Sequence, residues 1–147
     1  MTYLAALLFH GAGWAATPPS RARVVAVYDG DTYTLSDGSK VRLHGVNTPE
    51  LRPPEDYGIE ARDAVASLLL NKEVSLSYGE TKMDGYGRLI ASVQVDGVDI
   101  ATHLLEQGLG HLFLIPPDAA ADPFMRQAQQ KARTDKRGIW STGRYRG

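Results

Sequence analysis

The stretch RVVAVYDGDTYTLSDGSKVRLHGV, Arg23 to Val46, decides how the rest of the chain is read. Arg23–Tyr28 is rich in β-branched residues, and Asp29-Gly30 comes next as a turn signal. Thr32–Leu35 and Lys40–Val46 continue the pattern across a second turn at Ser36-Asp37-Gly38. Three short strands joined by Asp-Gly turns form a β-meander. Within Lys40–Val46, strand alternation places Arg42, His44 and Val46 on one side, opposite Val41 and Leu43.

Downstream, Pro49, Pro53 and Pro54 interrupt regular structure and mark a loop. Tyr57–Leu70 then carries Ala61, Ala64, Val65, Leu68 and Leu69 at helical spacing. Glu73–Tyr78 and Leu89–Val95 are strand-like and are joined through Met83-Asp84-Gly85-Tyr86-Gly87. Ile100–Gln107 is a short helix stopped by Gly108, and Phe124–Lys136 is a last helix closed by Gly138. The order β-β-β-α-β-β-α-α predicts an α+β, β-rich fold: a five-stranded OB-type β-barrel with about three surrounding helices. Such barrels mostly bind oligonucleotides or oligosaccharides, so the architecture alone names no activity.

With 147 residues the chain suits one domain with its own hydrophobic core. Cysteine is absent, which excludes disulfides, thiolate metal sites and a cysteine nucleophile. The first sixteen residues hold no Asp, Glu, Lys or Arg, and Leu4–Phe9 is wholly apolar. Small residues flank Trp14, as a signal peptidase requires, although the usual positive n-region is missing. The expected organisation is a signal peptide over 1–15, a linker over 16–22, the folded domain over 23–141 and a short basic tail over 142–147. The expected location is secreted or periplasmic. The apolar run is too short to anchor the chain in a bilayer, so no stable membrane association is expected.

Net charge is −1, which does not announce a polyanion binder. Positive charge is concentrated at the end, where Arg126, Lys131, Arg133, Lys136, Arg137, Arg144 and Arg146 face Asp135 alone. This is a polyanion-binding face or an ordinary solvated helix face.

Three segments can carry chemistry, and each has a plain structural explanation. Asp29-Gly30-Asp31-Thr32 is a common hairpin turn, or a carboxylate held at a strand end for a metal. Thr48-Pro49-Glu50 reads as a helix start, with Thr as N-cap and Pro at the first position. Asp84-Gly85-Tyr86-Gly87-Arg88 reads as a glycine-rich turn with an exposed Arg. Taken together they supply two guanidiniums, a carboxylate base and a carboxylate metal ligand. Phosphodiester hydrolysis asks for that set: a base for water, cations for the phosphoryl oxygens and often a metal. Arginine suits the task because its planar fork meets two phosphate oxygens at once.

In this order and separation the segments resemble the three signature stretches of the staphylococcal nuclease family: D-G-D-T, R-L-x-G-x-[D]-T-P-E and D-x-Y-G-R. Gly138-Ile139-Trp140-Ser141 resembles the family's C-terminal closure, and the likeness runs from about Arg21 to Ser141. The resemblance implies a Ca²⁺-dependent endonuclease that cleaves DNA and RNA to 3′-phosphate and 5′-hydroxyl ends. It implies Asp31 as a Ca²⁺ ligand through its carboxylate and Thr48 through its backbone carbonyl. Glu50 is implied as general base for the attacking water, or as its positioner. Arg42 and Arg88 are implied to hold the phosphate and the five-coordinate transition state, with Arg88 also protecting the leaving 5′-oxygen. Tyr86 is implied to contact the nucleotide.

Two departures stand out. Asn47 occupies the place where the family pattern has Asp, a second side-chain ligand; its amide oxygen can bind Ca²⁺, but the site loses a charge. Metal affinity is expected to drop, and another divalent cation could be preferred. Where the family presents tyrosines to the base, this chain has Leu112, Phe113, Leu114 and Ile115, and Gly85 replaces a lysine. The four histidines show no metal-ligand spacing. The expected partners are DNA and RNA as substrates, and the protein is expected to be a monomer. The rival expectation is a catalytically weak or silent OB-type module that binds nucleic acid or protein. Asn47 speaks for it, while Arg42, Glu50 and Arg88 together speak against it.

Overall fold

A computed structural model describes residues 17–117 and 122–145. The first strand explains the closure of the barrel. β1 (Arg21–Asp29) is antiparallel to β5 (Glu73–Ser77) along its first residues, with Arg21 opposite Ser75. Its later residues pair instead with β2 (Thr32–Leu35), Val24 opposite Leu35 and Asp29 opposite Thr32. Register shifts between Val24 and Ala26 and between Val27 and Asp29 let one strand serve two neighbours, because a bulge bends and twists the strand that carries it.

β2 pairs with β3 (Lys40–Leu43), and β5 pairs with β6 (Leu89–Val95), both antiparallel. β3 then meets β6 in parallel, Arg42 opposite Ile90, and this pairing closes a five-stranded mixed barrel. The expected α+β barrel of OB type is therefore the fold. Alternate residues fill the interior: Val24, Tyr33, Leu35, Val41, Leu43, Val74, Leu76, Leu89, Ala91 and Val93 are all buried.

Among the described residues three α-helices cover the barrel: α1 (Gly58–Leu69), α2 (Ile100–Glu106) and α3 (Pro123–Thr134). α1 buries Ala61, Val65 and Leu69, three of the five expected core positions, while Ala64 and Leu68 lie at the margin. α2 comes directly after the short β7 (Val98–Asp99), whose Asp99 caps it by accepting from the Thr102 N–H at 3.0 Å. α3 begins with Asp122 as cap and Pro123 in its first turn, and buries Met125, Ala128 and Ala132.

Three expectations need correction. The predicted strand Lys40–Val46 breaks at His44, because Gly45 takes φ +87° in the left-handed region. Beyond the break, β4 (Gly45–Asn47) pairs with an unanticipated β8 (His111–Phe113) as a separate ribbon. Arg42, His44 and Val46 thus share no face: Val46 is fully buried, and Arg42 and His44 line different pockets. Thr48-Pro49-Glu50 does not start a helix, since α1 begins only at Gly58. The expected linker over 16–22 extends too far, because Arg21 and Ala22 are already in β1 and the Ser20 carbonyl accepts from Leu76 N–H at 2.8 Å.

The expected signal peptide lies outside the described residues. Of the tail, Tyr145 packs against His111 and Trp140, with ring centroids at 5.5 and 5.9 Å. Among the described residues no helix is long and apolar enough to cross a membrane.

Candidate active site

The β1–β2 turn is built around Tyr33. Its ring is fully buried in the barrel and its hydroxyl donates to the Gly30 carbonyl at 2.7 Å, tying the turn to the core. Burial, and after it the nearby carboxylates of Asp31 and Asp29, push the phenol's pKa well above its ordinary value, so it remains a donor. Gly30 is required here, since a Cβ would sit 2.7 Å from the Thr48 methyl carbon. That close approach sets the turn against the chain leaving β4, and Thr48 N–H donates to Asp31 Oδ2 at 2.9 Å.

Asp29 and Asp31 are each only 5% exposed. Burial first, then the charge of Asp31 and more distantly that of Glu50, push the Asp29 carboxyl up to about 7. Asp29 also accepts from the Asp31 N–H at 3.1 Å.

Arg42 reaches across from β3. Its Nη1 donates to the Leu43 and Val46 carbonyls, both at 2.7 Å. Its Nη2 donates to Asn47 Oδ1 at 3.0 Å and lies 3.5 Å from Asp31 Oδ2. The guanidinium is therefore clamped by the bend after β3, and its charge stands beside the acidic pair. Glu50 leaves the buried Thr48-Pro49 step and is exposed to solvent.

The third segment arrives on the loop before β6. Asp84 Oδ1 accepts from the N–H groups of Tyr86 and Arg88, at 2.9 and 3.0 Å, and its Oδ2 takes Arg88 Nε at 2.7 Å. Partial burial opposes ionisation of Asp84, but the backbone and side-chain hydrogen bonds from Arg88 overcome it and hold the carboxyl below the usual range. With Nε engaged, neither Nη of Arg88 is hydrogen-bonded among the described residues. The Arg88 guanidinium also stands 5.5 Å from the centroid of the Tyr86 ring, which is 88% exposed.

One open pocket of about 430 Å³ joins these parts. Asp31, Arg42, Asn47, Glu50, Tyr86 and Arg88 all line it, so six of the seven residues singled out in the sequence meet there. The seventh, Thr48, is 2% exposed and lies behind the turn. Sequence reasoning gives no separate role to Asp29, Asp84 and Tyr28, which line the same pocket, as does Ile115. An Asp beside Gly reads as a turn former, so Asp29 and Asp84 carry no separate signal. Phe113 is there too, half exposed, its ring centroid 6.0 Å from Arg42. His44 and His103 lie elsewhere, in a groove beside β6 and α2.

The donor set suits a hard divalent cation, which takes carboxylate, amide and carbonyl oxygens and favours net negative charge. Two buried carboxylates that repel one another are stabilised by such an ion, and Thr48 Oγ1 is a buried oxygen with no hydrogen-bond partner among the described residues. No three His, Cys, Asp or Glu side chains among the described residues converge as a closed cage. An ion here would therefore complete its shell with Asn47, a backbone carbonyl and water.

Comparison with known proteins agrees with this geometry. The family model described as Staphylococcal nuclease homologue matches residues 40–142. A protein named Thermonuclease from Staphylococcus hyicus is 32% identical over 140 residues, covering 90% of this chain and 83% of its own. Thermonuclease of Staphylococcus intermedius is 34% identical over 124 residues, covering 80% and 74%. An uncharacterized endonuclease of Escherichia coli O157:H7 is 33% identical over 123 residues, covering 81% and 76%. Barrel, pocket and relatives converge, and the chain belongs to the staphylococcal nuclease family of hydrolytic nucleases.

Proposed function

We propose that the protein is a Ca²⁺-dependent endonuclease that hydrolyses DNA and RNA to 3′-phosphate and 5′-hydroxyl ends. The observation that carries this reading is the single pocket in which Asp31, Arg42, Glu50 and Arg88 meet from three separate segments. Glu50, at its exposed edge, accepts a proton from water as the oxygen adds to phosphorus. Arg88, anchored by Asp84 through Nε, presents its Nη groups to the phosphoryl oxygens and to the 5′-oxygen, which departs with the electrons of the P–O bond and takes a proton from solvent water to become the 5′-hydroxyl. Arg42 contributes charge from its clamp rather than a free fork, with Nε left for a phosphate oxygen. Tyr86 and Phe113 offer ring faces to bases, a contact that tolerates any sequence.

Asp31, Asn47 and the Thr48 carbonyl are the residues that hold the ion, and Ca²⁺ bound there supplies positive charge against the phosphate. Asn47 serves two partners in this reading, since its amide oxygen already accepts from Arg42. The apolar first fifteen residues support export, to be checked by N-terminal sequencing of the mature protein. Without Cys no disulfide-linked dimer can form, and the open pocket supports a monomer acting on nucleic acid free in solution.

Replacement of Glu50 by Ala tests the reading: kcat on single-stranded DNA is expected to fall about 10²–10⁴-fold, with the circular dichroism spectrum unchanged. Unchanged turnover would remove the proposed base. Metal-independent binding of DNA by a chain that never cleaves it would favour the binding module.

A further inference from the structure

Glu50 stands at the start of a tight loop that ends at Gly58, and the loop closes on Glu50 itself. The Glu50 N–H donates to Glu55 Oε1 at 2.6 Å, and the Glu55 N–H donates to the Glu50 carbonyl at 2.9 Å. Leu51 and Pro54 form a bridge within it. Gly58 approaches so closely that a Cβ would lie 2.7 Å from the Glu50 oxygen. Both polar groups of the Glu50 backbone are therefore fixed, and Glu55 supplies the partner to each.

Core packing does not fix this loop. Residues 52–56 are exposed, and an open pocket of about 490 Å³ lies beside them, lined by Leu51, Pro54, Glu55, Tyr57 and Thr142 among others. The far end is tied to the C-terminal segment by Tyr57 Oη and Ser141 Oγ at 3.3 Å and by Arg144 Nη2 and Asp56 Oδ2 at 3.9 Å. A carboxylate accepting a backbone N–H makes a charge-assisted bond, stronger than a neutral one. It sets the peptide plane of Glu50 and hence the direction of its side chain.

We propose that Glu55 is the positioning residue for Glu50, holding it at the angle from which its carboxylate reaches the attacking water. This rests on the reading of Glu50 as the base. In the full chain, Glu55→Ala is expected to lower kcat about 10–100-fold, the cost of misplacing a reacting group by about 1 Å. KM for DNA and the Ca²⁺ midpoint, tracked also by terbium luminescence, are expected to stay within about twofold, because Asp31, Asn47 and Arg88 are untouched. Glu55→Gln keeps an oxygen that can accept the Glu50 N–H, and is expected to return kcat to within about threefold of wild type. In a Glu50→Ala background, Glu55→Ala is expected to cost nothing further.

An equal loss with Gln and Ala, a change carried by KM, or an undiminished effect in the Glu50→Ala background would each overturn the proposal. If Glu50→Ala is inactive while Glu55→Ala is fully active, the positioning role alone fails. If Glu50→Ala is as active as wild type, the base assignment fails and the proposal goes with it. Should Glu55→Ala not fold, Gly58→Ala presses a methyl against the Glu50 carbonyl without removing a polar group. It is expected to give the same kcat loss, and full activity would overturn the proposal.

Discussion

Asp29 departs far from the ordinary chemistry of a carboxyl. Its carboxyl sits at about 7 because burial and then the Asp31 charge disfavour ionisation. Between the unfolded value of 3.8 and about 7 the folded state binds the extra proton. The stability from this group is thus complete below 3.8 and is lost as pH rises through 7. In EDTA, Asp29→Asn is expected to melt above wild type at pH 8, the gap closing towards pH 4. An equal gap at both pH values would show that the proton is not held there. Asp84 has the opposite sign: its depressed pKa stabilises above 3.8, and that contribution disappears as acid protonates it and frees Arg88. Arg88→Lys is expected to lower kcat/KM about 10²–10³-fold, since an ammonium cannot hold Asp84 and a phosphate with one planar fork. A loss below about threefold would contradict that. The sequence points to Arg42, Glu50 and Arg88 only when its three segments are taken together, since each segment alone has a plain structural explanation. It cannot disclose that Arg42 is spent on the Leu43 and Val46 carbonyls, which depends on the bend at His44.

At the level of elements, hydrophobic period and turn chemistry are enough for the barrel strands and for α1, α2 and α3. The strand Glu73–Ser77 alternates exposed and buried residues as its sequence suggests, and α1 shows its apolar stripe. The failures lie where tertiary contact overrides local pattern. β8 is only three residues long and finds its partner β4 far upstream, so no local signal marks it. The break at Gly45 is hidden because the glycine sits inside an otherwise good strand pattern. Gly108 and Gly138 read simply as helix stops, but they also pack backbone to backbone: a Cβ on either would overlap the other segment. Both have positive φ, +69° and +50°. Gly108→Ala is therefore expected to destabilise the protein by at least about 2 kcal/mol in urea unfolding, combining backbone strain with overpacking. A change under about 0.5 kcal/mol would show that the junction yields freely.

For the molecule as a whole, a net charge of −1 means that affinity for nucleic acid comes from a few local cations. If Arg42 and Arg88 are the main contacts, log K against log salt for single-stranded DNA is expected to slope at about −1.4. A slope steeper than about −4 would bring in the basic exposed face of α3, with Arg126 and Lys131. Everything proposed for the pocket depends on its being a metal-dependent hydrolytic site despite Asn47. The decisive experiment is digestion of single-stranded DNA across a Ca²⁺ titration, with EDTA as the control and the end groups identified. Ca²⁺-dependent cleavage that leaves 3′-phosphates and 5′-hydroxyls is expected, with a midpoint lowered by Asn47→Asp. Absence of cleavage at millimolar Ca²⁺, Mg²⁺ or Mn²⁺ by a folded chain, unrestored by Asn47→Asp, would contradict it.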